Sequence, residues 1–505
     1  MATSTPPARE RITIAILALG GEGGGVLADW ISQVANEHGY IVQGTSIAGV
    51  AQRTGSTVYY IEMVKRAAAG ANRAEPILAM MPAPGDVDIV IASELMEAGR
   101  AILRGFVTAD RTTLIGSTHR VYAISEKAAL GDGTAAAQRI LDAAERRSAR
   151  FIGFDMAAAA AEAGSVVSSV MFGALAGSGV LPFPREAFED AIRHGGKALE
   201  TNLNGFGLGF QRARDGDAER PAPRDQNEPT TEAGRALRAI IDASLPHSAR
   251  PLAIEGVKRL MDYQNRSYAE LYLSRLAAVR ALDDGGNDWQ LTRNAARHIA
   301  LWMSYEDTIR VADLKVRAAR SARVSNEVRL VPGQVMAVTE YMHPRLQEIC
   351  DILPRPLGRF LRDSAAVRRL TEPLFRAGRL VETTSLRWFL ALRVIAGLRS
   401  IRPRTLRYHE EQLRIDGWLT LAARFAESDS EAAAELIACQ QLIKGYSDTY
   451  ERGLARFEAV MSEARNLVGQ RNAAARLRTL REAALADENG DALACAVSAR
   501  SAGQA

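Results

Sequence analysis

A cluster of glycines near the N-terminus is the part of the sequence best suited to binding an anionic ligand. Residues 20–25 contain five glycines and Glu22, and they join the apolar run Ile12–Leu19 to the helical pattern Val26–His38. Glycines let the backbone turn sharply and let a ligand approach the N–H groups at the start of the following helix. We therefore predict a cofactor-binding or active-site-closing role for Gly21, Glu22, Gly23, Gly24 and Gly25.

A second candidate is the loop that follows the next predicted strand. The strand Tyr40–Ser46 leads into a compact loop, Ile47–Gly55, which carries an arginine between glycines. Loops at the carboxyl ends of parallel strands bind ligands in folds of this kind. The guanidinium group could bind a phosphate, a substrate carboxylate or an acidic group of a partner, or it could pair internally and fix the loop. The predicted site residues here are Ser46, Gly49, Gln52, Arg53 and Thr54.

A dinucleotide is one possible ligand for a glycine turn between a strand and a helix. Its fingerprint requires G-x-G-x-x-G or -A, followed by an acidic residue near the end of the second strand. Gly21 and Gly23 fit, but the third position is Val26, and the second strand ends at Ser46 without a carboxylate. The sequence therefore disfavours NAD(P). Because no Gly-Lys-Ser/Thr follows the turn, it also excludes a Walker phosphate loop.

The elements around these residues predict an α/β fold. A strand, the glycine turn, a helix and a second strand form a βαβ unit, in which we expect the two strands to pair in parallel. Further buried-strand patterns alternate with helical ones, and Ser93, directly after the strand Val87–Ala92, is a candidate helix N-cap. The later strands are predicted at Thr57–Val64, Val87–Ala92, Thr112–Ile115 and Arg150–Phe154. We predict a doubly wound, mostly parallel sheet.

Changes of composition divide the chain into five segments. We predict a flexible N-terminus over residues 1–11, an α/β domain over 12–210, a linker over 211–233, a mainly α-helical domain over 234–486 and a disordered tail over 487–505. The linker is rich in charged residues, Pro and Asn, with few apolar side chains. The tail is rich in Ala, Gly and Ser.

The second half of the chain is predicted to be helical. Its longest helices are expected at Leu252–Leu282, Trp289–Ala322 and Glu431–Val468. An arginine-rich stretch, Arg368–Arg414, contains eleven arginines and four glutamates with aromatic residues between them, as an RNA-binding surface would. The spacing of Leu386, Leu390 and Val394 favours instead an amphipathic helix that turns this side toward the core.

Composition limits the class of protein. The 505 residues are 47% hydrophobic and 24% charged, with a net charge of +4, so neither nucleic acid nor a membrane is an expected partner. The uncharged stretch Ala163–Pro184 is long enough to cross a bilayer, but its glycines, serines and prolines favour a buried helix. The N-terminus has no signal-peptide pattern, and we expect a cytoplasmic protein.

No residues are spaced in the sequence to bind a metal. The three cysteines, Cys350, Cys439 and Cys495, form no C-x-x-C motif, and histidines such as His119 are isolated. An iron–sulfur cluster or a structural zinc site cannot be built by this chain alone. No nucleophile motif is evident either. We therefore predict no metal ligands and no catalytic residues.

The glycine turn and the loop together resemble the gamma domain of the 2-oxoacid:ferredoxin oxidoreductases. That family has a G-x-G-G-Q-G-V turn and an H-G-M-A-Q-R-G-G-S-type loop, and residues Gly21–Val26 and Ala48–Ser56 take these places here. The Ala-Gln-Arg core of the loop matches, whereas the glutamine of the turn, the histidine (here Ala48) and one glycine (here Thr54) differ. The helical half resembles the C-terminal extension of long indolepyruvate:ferredoxin oxidoreductase beta subunits, for example at Lys444–Thr449.

The resemblance implies an accessory (beta) subunit of an indolepyruvate-type oxidoreductase. Such an enzyme oxidatively decarboxylates a 2-oxoacid toward the acyl-CoA and passes the electrons to ferredoxin. The resemblance further implies a hetero-oligomer in which a larger alpha subunit carries thiamine diphosphate and 4Fe–4S clusters, with coenzyme A as cosubstrate and no cofactor bound by this chain alone. The alternatives are a stand-alone NAD(P)-binding oxidoreductase and a helical RNA-binding or scaffold protein.

Overall fold

The computed structural model forms two compact units, Met1–Arg224 and Asp225–Ala505. It describes residues 11–48, 56–66, 76–122, 126, 136–196, 198–215, 228–328, 330, 333–342, 345–367, 369, 371, 378–487 and 489–502. Four of the predicted site residues lie outside these ranges: Gly49, Gln52, Arg53 and Thr54. Residues 216–227 of the predicted linker also lie outside them.

The N-terminal unit consists of a sheet of six described strands with helices on both faces. The strands are β1 (Arg11–Leu19), β2 (Tyr40–Ala48), β3 (Ser56–Lys65), β4 (Ile89–Ala92), β5 (Thr113–Ser117) and β6 (Arg150–Phe154). The helices are α1 (Gly24–Glu37), α2 (Leu95–Leu103), α3 (Ala137–Arg147), α4 (Met156–Glu162), α5 (Val167–Ser178), α6 (Arg185–Gly195) and α7 (Leu199–Asp215).

The order of the strands in the sheet is β2-β3-β1-β4-β5-β6. β1, β4, β5 and β6 pair in parallel, whereas β3 pairs antiparallel with both β1 and β2. The predicted pairing of β1 with β2 is therefore wrong, although the two strands run in the same direction. β3 begins only eight residues after β2 ends, so their hairpin closes at a smaller entropic cost than a crossover pairing. The prediction of a mostly parallel α/β sheet is confirmed.

Alternate residues of the central strands face the two helical layers. In β1, Ile14 and Ile16 belong to the core shared with α1 and α4–α7, whereas Ala15 and Leu17 belong to the core shared with α2 and α3. A period of two with apolar residues on both sides is the pattern of a sheet buried on both faces. The two layers of helices therefore cover opposite faces of the sheet.

Helix α5 lies within the uncharged segment Ala163–Pro184 that the sequence predicts to be buried, and nine of its twelve residues are buried. It contacts α7 backbone to backbone. A Cβ on Gly173 would lie 2.0 Å from the carbonyl oxygen of Phe206, and one on Gly209 would lie 2.1 Å from that of Val170. Within the described residues, no single helix is long and apolar enough to cross a membrane; α4 and α5 satisfy that test only together, and they are bent by 110°.

The C-terminal unit is mainly helical, and its described strands β7 (Thr339–Met342) and β8 (Arg379–Glu382) form an antiparallel pair. Before β8 come α8 (Glu232–Ser244), α9 (Arg250–Tyr263), α10 (Arg266–Arg280), α11 (Gly286–Met303), α12 (Thr308–Lys315), α13 (Ala318–Glu327), α14 (Leu346–Asp351) and α15 (Arg355–Asp363). After β8 come α16 (Leu386–Gly397), a 3-10 helix (Leu398–Arg404), α17 (Leu406–Ala426), α18 (Ser430–Ala438), a second 3-10 helix (Cys439–Leu442), α19 (Ser447–Arg465), α20 (Ala473–Ala486) and α21 (Asp491–Ala502).

Each of the three long helices predicted in this unit is interrupted. The first predicted helix, Leu252–Leu282, is two helices, α9 and α10. α10 begins separately because the Asn265 side chain caps it, accepting a hydrogen bond of 3.0 Å from Tyr268 N. The second is interrupted before α12, where Asp307 accepts a hydrogen bond of 2.6 Å from the third residue of the helix. The third contains a turn at Gly445, whose φ is 68°. Apolar periodicity continues across such caps and turns, so it does not reveal them.

The ends of the predicted segments also shift. β1 already includes Arg11, and α7 continues to Asp215, which the sequence places in the linker. The predicted disordered tail over 487–505 is wrong for residues 491–502, which form α21. The carboxylate of Asp487 stabilises the start of α21, because it accepts hydrogen bonds from the N–H groups of Asp491 and Ala492, the first two residues of the helix.

Helix α16 turns a different side toward the core than its spacing predicts. Leu386, Leu390 and Val394 are 74%, 52% and 69% exposed, whereas Leu392 and Ala396 are buried. The helix has apolar residues on all sides, interrupted only by two arginines. Periodicity therefore predicts a helix here but cannot decide which side is buried.

Candidate functional site

The parallel strands of the N-terminal unit meet at one edge of the sheet, where a topological switch point lies. The chain leaves β1 into α1 on one face, and it leaves β4 into α2 on the opposite face. Open α/β sheets bind ligands in the crevice that such a divergence opens beside the carboxyl ends of the strands. The glycine turn follows β1 directly, so it lies at this edge.

The conformation of the turn depends on glycine at three positions. Gly21 and Gly23 have φ values of 88° and 76°, in the left-handed region that side chains disfavour. Gly24 is in the ordinary helical region, but a Cβ there would lie 2.6 Å from both the Ala18 Cβ and the Tyr59 ring. The predicted turn therefore forms, and it brings the start of α1 very close to β1 and β3.

The N-terminus of α1 is open to an anionic group. Within the described part of the chain, no side chain caps it, and its first turn carries no acidic residue. The first N–H groups of a helix have no partner inside the helix, and they carry partial positive charge. Gly25 lies in this turn, and a Cβ there would meet nothing nearer than 3.6 Å. The turn can thus present N–H groups to a phosphate or carboxylate.

Polar side chains from three strand ends meet beside the turn. Glu22 follows β1, and its carboxylate accepts a hydrogen bond from the Ser93 hydroxyl, which follows β4. The other carboxylate oxygen of Glu22 lies 3.6 Å from Nε2 of His119, which follows β5. His119 Nδ1 is 2.6 Å from Oγ of Ser117, and that oxygen accepts a hydrogen bond from Met156 N at 3.0 Å. This carboxylate–imidazole–hydroxyl cluster holds the glycine turn against the sheet.

Most of this cluster is not evident from the sequence. Ser93 is not the N-cap that its position predicts, because Glu94 caps α2 and accepts hydrogen bonds from Met96 N and Glu97 N at 2.8 and 2.9 Å. Burial raises the pKa of Glu94, and these N–H groups oppose that effect. His119 is isolated in the sequence because no other ligand residue lies at metal-binding spacing from it. The signal that identifies both Ser93 and His119 is a polar residue shortly after a buried strand.

The loop predicted to carry an anion-binding arginine begins and ends at the same edge of the sheet. Ala48 at the end of β2 pairs with Thr57, and Ser56 at the start of β3 pairs with Leu19, the last residue of β1. Ser46 lies on the outer strand β2 and is exposed. Because the loop residues lie outside the described ranges, the roles of Gly49, Gln52, Arg53 and Thr54 stay predictions.

The strand order also bears on the dinucleotide alternative. That fingerprint needs the end of the second strand beside the glycine turn, where an acidic residue would bind the ribose. Here the whole of β3 lies between β1 and β2, so the end of β2 is not beside the turn and the strand order disfavours a dinucleotide.

A metal site is a separate question. In the described residues, no group of three or more His, Cys, Asp or Glu side chains could hold a metal ion.

Replacing Gly24 by alanine is expected to destabilise the N-terminal unit by about 1–3 kcal/mol, because the new Cβ must displace Ala18 or Tyr59. Replacing Gly25 by alanine is expected to leave the stability nearly unchanged, because the new Cβ would lie 3.6 Å from the Tyr59 ring, an ordinary contact distance. Hydrogen–deuterium exchange of β1 and α1 peptides measures both effects. Equal losses of protection in the two variants would contradict the close packing at Gly24.

In comparison with known proteins, the two halves of the chain match different family models. Residues 13–212 match the family model described as pyruvate ferredoxin/flavodoxin oxidoreductase. Residues 249–463 match a family of unknown function (DUF6537). The first match confirms the resemblance that the glycine turn and the following loop predict.

Individual relatives match over a similar length. Indolepyruvate oxidoreductase subunit IorB from Pyrococcus horikoshii and from Thermococcus kodakarensis are each 25% identical over 209 residues, covering 40% of this chain and 96% of the relative. Among solved structures, pyruvate oxidoreductase subunit PORC from Thermotoga maritima is 16% identical, with 41% of this chain and 97% of that chain covered and a TM-score of 0.28. More than half of this chain thus has no counterpart in the IorB relatives.

Proposed function

We propose that this chain is the accessory (beta) subunit of an indolepyruvate-type 2-oxoacid:ferredoxin oxidoreductase, with residues 12–210 as its gamma-type domain. The observation that carries the proposal is the match to almost the full length of the IorB relatives. The glycine turn at the ligand-binding edge of the sheet supports it. The enzyme oxidatively decarboxylates an arylpyruvate toward the acyl-CoA and passes the electrons to ferredoxin.

The redox and decarboxylation cofactors belong to another subunit in this proposal. A 4Fe–4S cluster takes four cysteine thiolates. This chain has three cysteines, of which Cys350 and Cys439 are buried in the helical unit. Its donor set therefore does not fit a cluster. We assign thiamine diphosphate and the 4Fe–4S clusters to a larger alpha subunit, where they supply decarboxylation and electron transfer, and we assign ferredoxin docking to the same subunit.

The role of this chain is to complete the site that receives coenzyme A. The N-terminus of α1 fits an anionic group such as a phosphate, since its first turn is uncapped in the described residues and free of acidic side chains. Glu22, bound by Ser93 and close to His119, keeps the turn in place. The turn and the 49–55 loop then face the larger subunit and close its active site.

Replacing Arg53 by alanine is expected to raise the KM for coenzyme A about 10- to 100-fold, because a charge-assisted hydrogen bond to phosphate is lost. If the loop instead contacts the partner, assembly weakens by a similar factor. Arg66→Ala is the matched control, because Arg66 follows β3 at the opposite edge of the sheet, where its N–H bonds to Gly39 O. Unchanged kinetics and unchanged assembly in the Arg53 variant would contradict this role.

The proposed function is tested by co-purification. The full chain is tagged in its native host and purified gently, and it is also co-expressed with the candidate large subunit. We expect a brown partner that contains iron–sulfur clusters and thiamine and that reduces methyl viologen when given an arylpyruvate and coenzyme A. A chain recovered without such a partner, together with no arylpyruvate-dependent dye reduction on co-expression with one, would overturn the proposal.

We place this hetero-oligomer in the cytoplasm. The described cysteines are free thiols, two of them buried, and free thiols persist in a reducing compartment. Fractionation of host cells, with activity measured in each fraction, tests this placement. Recovery of the activity in a fraction other than the cytoplasmic one would contradict it.

A further inference from the structure

The helical unit contains a cavity that the proposed function does not use. Its volume is about 420 Å³, within the range of small-molecule sites. Helices α12, α14, α16 and α17 and the start of α19 contribute to its walls. Ser447 at the start of α19 has a φ of 54°. Such strain in a residue other than glycine is found most often at binding and active sites.

Part of the cavity lining is apolar. Trp388, Leu392 and Ile395 contribute to it from α16, away from the exposed side of that helix, and Val311 and Met342 also line the cavity. An indole ring beside branched and flexible aliphatic side chains contacts aromatic or branched-alkyl groups well. This part of the lining therefore suits the apolar body of a ligand.

The lining also contains a buried carboxylate that lacks a full set of partners. Asp351 is only 7% exposed. One of its oxygens lies 3.4 Å from Arg407 Nη1, and the other, Oδ1, has no hydrogen-bond partner among the described residues. Burial raises the pKa of Asp351 to about 6. A buried acceptor without a donor is costly. Oδ1 is itself shielded from solvent, so a turn of the Asp351 side chain that brings this oxygen to an N–H group in the cavity would relieve that cost.

The charges around the cavity select the sign of the ligand. Its described lining contains five carboxylates: Glu306, Asp307, Glu348, Asp351 and Asp448. The cationic side chains of the lining already have acidic partners. Lys315 pairs with Glu340, Arg345 with Asp448, and Arg407 with Glu411. Three of the carboxylates are also paired, Asp307 with Arg402, Asp448 with Arg345 and Asp351 with Arg407. The excess negative charge of the described lining therefore comes from Glu306 and Glu348, and it favours an ammonium group over an anion.

We propose that this cavity binds a small amine with an aromatic or branched-alkyl body. The body lies against Trp388 and Ile395, and the ammonium group donates hydrogen bonds to the Asp351 carboxylate. The inference concerns the helical unit and does not depend on the function proposed for the N-terminal unit.

The first test compares ligands of one size and opposite charge on the full-length chain. Isothermal titration calorimetry is run with 2-phenylethylamine and with phenylacetate at about pH 8, where Asp351 is ionised. We expect the amine to bind at least about 10-fold more tightly than phenylacetate. Equal or tighter binding of phenylacetate, or no binding of the amine, would overturn the proposal.

The second test uses adjacent residues of α16, one lining the cavity and one exposed. Ile395→Trp places an indole in the cavity and is expected to weaken amine binding strongly, whereas Val394→Trp introduces the same side chain on the exposed side and is expected to leave binding unchanged. Asp351→Asn is expected to weaken binding about 10- to 100-fold. Circular dichroism melting confirms that each variant is folded. Undiminished binding in a folded Ile395→Trp variant would refute the site, even if Asp351→Asn does not fold.

Discussion

Replacing Arg402 by alanine is expected to destabilise the helical unit by about 3–5 kcal/mol, because a buried carboxylate would lose its counter-charge. Arg402 is 1% exposed. Its guanidinium donates to both oxygens of Asp307, at 2.7 and 3.1 Å, and to Tyr263 O and Gln264 Oε1. It also lies over the Tyr263 ring, 4.1 Å from the centroid. The side chain thus joins α9, the start of α12 and the 3-10 helix.

Arg404→Ala is the matched control for this effect. Arg404 lies on the same 3-10 helix, two residues further on, and is exposed. Its loss is expected to cost less than about 0.5 kcal/mol, as for most surface substitutions. Hydrogen–deuterium exchange of the helical unit in the full chain compares the two variants. If Arg402→Ala loses no more protection than Arg404→Ala, the buried ion pair does not stabilise the unit as argued.

The second large effect is expected in the N-terminal unit, at the contact between α5 and α7. Gly209→Ala would place a Cβ 2.1 Å from the carbonyl oxygen of Val170. Because backbone cannot move aside as a flexible side chain can, the two helices must separate. We expect a loss of about 3 kcal/mol or more, at the upper end of overpacking effects. Peptides of α5 should exchange hydrogen much faster in this variant.

Gly207 provides the control on the same helix. A Cβ there would meet only the end of the Arg185 side chain, at 4.0 Å. Gly207→Ala is therefore expected to stabilise α7 by about 0.5–1 kcal/mol through helix propensity. Opposite signs for the two variants would support the close approach of the helices, and a similar change in both would contradict it.

The candidate site illustrates how far local pattern reaches. The glycine turn, its place between strand and helix, and the need for glycine at 21 and 23 follow from residue types alone. The contribution of Ser93 and His119 does not, because these residues are far from Glu22 in sequence and meet it only where β1, β4 and β5 end together. The arginine loop stays a prediction from sequence.

The sequence by itself determined the alternation of strands and helices in the first half, the helical character of the second, and the family resemblance. These depend on local periodicity and on short motifs. Only the tertiary structure decided that β3 lies between β1 and β2, which side of α16 is buried, and that Asp351 borders a cavity. Strand neighbours and buried faces depend on contacts between distant residues. A periodic pattern shows that such contacts exist but does not identify the partners.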